Sequence, residues 1–358
     1  MRLSPLSLSI LALLGGALTP SAHAASTYTY TTFDVPGSSS THVYDINDRG
    51  QIAGFYSEDP AFVGAGAVPK SRYFVSGDGV YSAYDVPGTH GFSSQHINAS
   101  GQVAGTYDDA SLISQGFLYS GGVVTPLSVP GGSTDVADIN AGGQVVGRSQ
   151  SASSIQGFIY AGGILSPLNF PGTVNTAANG INDGGQIVGV YGTLSSAHGF
   201  LYSGGVFATL DVPGATRTVA YDINNGGEIV GAYGDGSVTR GYVYSSGVFN
   251  SFSLPDIGAG FLSLEINDRG QVAGSYLDAA HNAHSFSYDG ATLALLNVPG
   301  ATQTFANGIN GNGQIAGYYT DADGADHGFI ASPVPIPGAI WLFGSALAGF
   351  GFVRRKAL

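Results

Sequence analysis

The pair Ile-Asn recurs along the chain with its Asn at Asn47, Asn98, Asn140, Asn182, Asn224, Asn267 and Asn310, at intervals of 51, 42, 42, 42, 43 and 43 residues. Glycine follows three residues later each time (Gly50, Gly101, Gly143, Gly185, Gly227, Gly270, Gly313) and again at seven (Gly54, Gly105, Gly147, Gly189, Gly231, Gly274, Gly317). A register kept seven times out of seven describes one supersecondary unit repeated in tandem, which buries its faces by stacking on its neighbours. Any fold for this chain has seven equivalent parts.

Each unit reads as four short strands. Tyr221-Asp222-Ile223 ends the first, and Asn224-Asn225-Gly226-Gly227 makes a turn whose last Gly suits a left-handed residue. Glu228 to Tyr233 is the second strand, Gly241 to Tyr244 the third, and Val248 to Leu254 the fourth. Fourth strands mostly end in Pro-Gly, at Pro36, Pro87, Pro130, Pro171, Pro213 and Pro299, with Pro255-Asp256 the departure. Four strands in about 42 residues is the size of one propeller blade. The chain starts with a lone fourth-type strand, Thr27 to Val35, and the seventh unit stops at Phe329-Ile330-Ala331 without one. The expectation is an all-β, seven-bladed β-propeller of four-stranded blades, closed by the N-terminal strand so that no edge is left open. A right-handed β-solenoid is the competing architecture, but 42 residues with regular hairpins is long for one coil.

Composition agrees with this. Gly is 57 of 358 residues, with 20 Tyr and 19 Phe, which suits tight turns and half-buried strands rather than helices. Zero Cys excludes disulfides, thiolate metal sites and Cys nucleophiles. A formal charge of −13 argues against nucleic acid as a partner.

The two ends carry addresses. Arg2, an apolar run from Leu6 to Leu18 and the exit Ala22-His23-Ala24 give a signal peptide over residues 1–24. At the other end, residues 333–358 hold Val334-Pro335-Ile336-Pro337, an apolar stretch from Gly338 to Val353, and the basic cluster Arg354-Arg355-Lys356. That stretch falls just short of the roughly 17–25 residues of a membrane span, and its basic end is expected to stay cytoplasmic. The tripartite tail resembles the PEP-CTERM sorting signals of Gram-negative bacteria, in the Val-Pro-Leu-Pro-Ala subgroup, with Ile336 for the Leu and Gly338 for the Ala. The resemblance implies transient anchoring in the inner membrane by a transmembrane helix. It also implies processing by an exosortase-like membrane protease and delivery to the cell surface or outside. A permanent single-span anchor is the plainer alternative. Between the ends, residues 25–332 keep 7 of the 11 basic and all 24 acidic residues, a charge of −17.

The segments before the third strand, His198-Gly199-Phe200 and His327-Gly328-Phe329, with Gln115-Gly116-Phe117, Gln156-Gly157-Phe158, Arg240-Gly241-Tyr242 and His284-Ser285-Phe286, resemble the HAF family of bacterial extracellular repeats. That family implies an extracellular repeat protein of undefined activity. No nucleophile elbow, His-Glu-x-x-His or phosphate-binding Gly loop is present. The expected role is therefore a non-catalytic binding or structural module for exopolysaccharide or a surface protein. An extracellular carbohydrate-active hydrolase or lyase is the alternative. No cofactor is called for, apart from Ca²⁺ at Asp321, Asp323 and Asp326, whose carboxylates alternate around Gly324 as in Ca²⁺ loops. Acids concentrate in the loops between second and third strands and between blades, so this loop face, rather than the Asn-Gly turn face, is expected to make the functional contact. Residues 58–70 add a Pro-, Ala- and Gly-rich insertion to the first unit.

Overall fold

A computed structural model describes residues 28–334, apart from 59–70, 78, 194–195 and 237. The signal peptide, the insertion from residue 59 onward, the apolar stretch 338–353 and the sorting residues Pro335, Ile336, Pro337, Arg354, Arg355 and Lys356 lie outside the described residues; Val334 is exposed at their edge. Among the described residues no helix is long and apolar enough to cross a membrane.

Among the described residues, twenty-eight strands form seven four-stranded antiparallel sheets, so the chain is a seven-bladed β-propeller. Blades 1 to 6 are residues 40–84, 91–127, 133–168, 176–210, 217–252 and 257–296, each with its strands in chain order. Blade 7 takes three strands from residues 303–333 and its fourth from the N-terminus: Tyr28–Phe33 runs antiparallel to Asp326–Pro333, with Tyr28 opposite Pro333 and Phe33 opposite Gly328.

The repeat has a packing reason at each of its fixed positions. The Gly three residues after each Asn sits at φ between 73° and 79°, a left-handed turn position that a Cβ disfavours. The Gly seven residues after it lies under the third-strand aromatic. A Cβ at Gly147 or Gly189 would collide with the carbonyl of Asp135 or Ala177 and with the ring of Phe158 or Phe200. Those aromatics (Phe74, Phe117, Phe158, Phe200, Tyr242, Phe286, Phe329) are all at most 1% exposed, and burying each stabilises by about 1.5–3 kcal/mol. Seven hydrophobic clusters result, each packing side chains from two adjacent blades. The core is thus a ring of interfaces rather than a centre, and the axis itself is left to polar groups.

Candidate functional site

The seven repeat Asn residues form a closed hydrogen-bonded belt around that axis. Asn47 donates its side-chain N–H to the backbone carbonyl of Asn98 (2.9 Å), and the relay continues through Asn140, Asn182, Asn224 and Asn267 to Asn310, which donates back to Asn47 (3.1 Å). The second amide hydrogen goes to the side chain four residues on, Gln in six blades and Glu228 in the fifth. The Asn oxygen accepts that residue's backbone N–H. Every Asn is 5% exposed or less and has both donors and its acceptor used. An Asp could not donate and a Gln would be a carbon too long, which explains the fixed residue type.

Two residues before each Asn, on the innermost strand, stand Asp45, His96, Asp138, Gly180, Asp222, Glu265 and Gly308. Asp45 accepts the N–H of Ile46 in its own blade (2.7 Å) and of Ile97 in the next (2.8 Å). Asp138 joins Ile139 and Ile181 in the same way, and Asp222 joins Ile223 and Ile266. Three carboxylates therefore strap blades 1 to 2, 3 to 4 and 5 to 6. At two of the four junctions without a strap, 4 to 5 and 7 to 1, Gly180 and Gly308 leave room for the next blade's acid, and Asn179 and Asn307 donate instead to Ala220 and Val43 carbonyls.

Crowding these acids around a desolvated axis changes their protonation. Burial pushes Asp45 up to about 7, against the lowering effect of its two backbone donors. Burial and neighbouring carboxylates raise Asp138 well above the usual range, and burial also raises Asp222. Glu265 is raised well above it, by burial first and then by Asp222, with which it shares a hydrogen bond. Burial also lowers His96 to about 4, so its imidazole is neutral at pH 7. Above this layer a cavity of about 190 Å³ opens on the Asn-Gly turn face, with Asp48, Asp183 and Asp268 at its mouth. Among the described residues, no Lys, Arg or aromatic side chain lines it. The axial acids were findable in the sequence by aligning the seven units, since an inward strand position filled by Asp, His, Glu and Gly is no ordinary core position.

The structure does not bring the three expected Ca²⁺ ligands together. Asp321 caps its own turn, accepting the N–H of Asp323 and of Ala325 (2.9 Å each), and its other oxygen faces His327 Nε2 at 3.2 Å. Asp326 turns inward to the Thr320 hydroxyl (2.7 Å) and lies 3.0 Å from His42. Among the described residues no three His, Asp or Glu side chains are grouped as a metal site. Asp109 and Asp278 repeat the cap, each accepting N–H groups two and four residues on. Acids gather on the loop face because they build its turns. A cavity of about 770 Å³ on that face, between blades 2 and 3, is walled by Leu112, Ile113, Gln115, Pro130 and Gln150 rather than by acids.

No family model matches the chain, and no curated protein is similar to it. Among solved structures, it is similar to virginiamycin B lyase from Staphylococcus aureus, at 10% identity and a TM-score of 0.59, over 86% of this chain and all of the other. It is also similar to the β-propeller domain of the trilobed protease from Pyrococcus furiosus, at 9% identity and a TM-score of 0.57, over 83% of this chain and 98% of that one. At such identities these likenesses show the shared propeller fold.

Proposed function

We propose that the chain is an exported propeller that acts by binding, at the cell surface or in the extracellular matrix, and that its axial funnel receives a cationic group of a polysaccharide or protein ligand. One observation carries this reading: seven acids line the cavity and its mouth, and the arginines of the same turns, Arg49 and Arg269, are not part of its lining. The contact thus moves from the loop face to the turn face. Because Asp45, Asp138 and Asp222 hold backbone N–H groups, their role is to fix blades and to take up negative charge when a cation enters, rather than to exchange protons with a substrate. A cation entering the funnel favours the ionised acids, so binding releases protons and strengthens as pH rises through about 7. Calorimetric titration with glucosamine oligomers, against their N-acetylated counterparts, tests this; equal binding of both removes the funnel from the account.

A carbohydrate-active enzyme is the second reading, favoured by the shared hydrogen bond of Glu265 and Asp222, an acid and a carboxylate side by side. Release of sugars from exopolysaccharide, lost in Glu265→Gln, is its test. Export and exosortase-like processing are supported by the two terminal sequences. Mass spectrometry of the protein from its native host, finding neither residues 1–24 nor Leu358, is the expected result; an intact Leu358 leaves a plain membrane anchor.

A further inference from the structure

In four blades the residue two places before the third-strand aromatic reaches the residue that follows the fourth strand. The pairs are Arg72–Asp85, Gln115–Ser128, His198–Asp211 and His327–Asp34, at 2.8, 2.8, 2.7 and 3.0 Å. In blade 7 the second ring nitrogen of His327 also faces a carboxylate, Asp321, so both nitrogens are engaged and the protonated ring is favoured. Blade 4 differs at that one place. There His198 Nε2 lies 3.2 Å from the Ser196 hydroxyl, on the same strand and exposed, while His198 Nδ1 lies 2.7 Å from Asp211. A carboxylate only accepts, so Nδ1 carries the proton and the Nε2 lone pair is left facing the hydroxyl. That is the order of groups a serine nucleophile needs: hydroxyl, base, and a carboxylate fixing the base's tautomer. Tyr191 stacks on the imidazole (centroids 5.2 Å apart) and Phe170 on Tyr191 (3.7 Å), giving an aromatic wall against the imidazole.

We propose that Ser196, His198 and Asp211 form an ester-hydrolysing site on the loop-face rim of blade 4, distinct from the axial funnel, whose substrates are O-acyl esters carried on an exposed polymer. Ser196 Oγ attacks the ester carbonyl carbon while His198 Nε2 takes its proton. The carbon–oxygen bond to the alcohol breaks, and the alcohol leaves with that proton. Water then attacks the acyl-Ser196 ester, giving up a proton to Nε2, and the carboxylic acid departs as Ser196 regains its hydrogen. One ester and one water become one alcohol and one acid. Asp211 touches no reacting atom and is a positioning residue.

The test uses the mature protein with a fluorophosphonate probe and with p-nitrophenyl acetate, next to Ser196→Ala, His198→Gln and Asp211→Asn, each checked by thermal melting. The expected result is probe on the Ser196 peptide, none on it in Ser196→Ala, and an acetate rate at least about 100-fold lower in His198→Gln. In Asp211→Asn, the acidic limb of the pH–rate profile shifts along with the fall in rate. A wild type that takes no probe on Ser196, or a Ser196→Ala variant that hydrolyses the acetate as fast as wild type, overturns the proposal. The glucosamine titration is indifferent to Ser196→Ala, so the two readings fail separately.

Discussion

Blade 7 and the other six solve one problem by different means. In blades 1 to 6 the third and fourth strands are joined by a hairpin, typically two residues with positive φ such as Gly204 and Gly205 at 58° and 88°. Their pairings run for five residue pairs, or four in blade 6. Blade 7 has no such hairpin, because its fourth strand comes from the other end of the chain. Its pairing is longer, six residue pairs, and is reinforced by Tyr30 edge-on to Phe329 and by His327 gripping Asp34 just past the closing strand. His42 of blade 1 adds Asp326 of blade 7 at 3.0 Å. Side-chain contacts thus replace a covalent turn, while the Asn belt crosses this junction as it crosses the rest. A ring without disulfides is held shut by pairing at one blade and by a belt at all seven.

Removing the closing strand, by starting the chain at Asp34, has the largest expected effect. Phe329 and Ala331 lose their cover, and the melting temperature falls by on the order of 10 °C or more. A circular permutant that joins the native ends and opens at Gly204-Gly205 keeps its stability to within a few degrees, if the hairpins and the strand pairing are interchangeable. A truncated chain that melts like the full one breaks the comparison.

The belt comes next. Asn310→Ala removes the link to blade 1, and Asn182→Ala removes an ordinary link of the same 3.1 Å length. Both are expected to cost about 1–3 kcal/mol in urea unfolding, because each leaves buried partners unsatisfied. A much larger loss at Asn310 would show that the closing junction leans on the belt more than the others do.

Titration separates the closing blade from the axis. Burial works against the charge on His327, but Asp34 and Asp321 outweigh it and raise its pKa. A histidine raised on folding stabilises below its unfolded value and loses that contribution as pH rises through the folded value. The axial carboxyls are raised too, so they favour the fold below about pH 4 and withdraw that support as pH climbs to about 7. Both effects point the same way; buried His96, lowered to about 4, opposes them below its unfolded value of about 6.5, so the melting temperature is expected to fall between about pH 6.5 and about pH 8. His327→Gln removes the part belonging to blade 7 and leaves the axial slope. A variant with the full wild-type slope would assign the whole effect to the axis. The smallest expected change belongs to Arg72→Gln, an exposed pair with Asp85, at about 0.5 kcal/mol or less.

The sequence revealed the architecture because its determinants are local and repeated. Asn, the turn Gly and the Gly beneath the aromatic each perform the same task in every blade, so periodicity alone exposes them. The phase of the termini likewise disclosed the closing strand. The axial acids escaped because they are the exceptions to the repeat: only a ring places Asp222 beside Glu265, 43 residues on. Asp321 misled for the opposite reason, since alternating carboxylates around a Gly serve a self-capped turn as well as a Ca²⁺ loop. Ser196 and Asp211 become meaningful only through the strand pairing that sets both against His198.

Closure itself has a direct probe because the chain contains no cysteine. Thr29 and Ser332 are register partners across the closing pair, at its surface end and outside the core. With both replaced by Cys, mild oxidation is expected to give an intramolecular disulfide in nearly every molecule and a higher melting temperature. The off-register pair Thr31→Cys with Ser332→Cys is expected to give little of either. Failure of the first pair to cross-link, or cross-linking only between molecules, would contradict closure by the N-terminal strand.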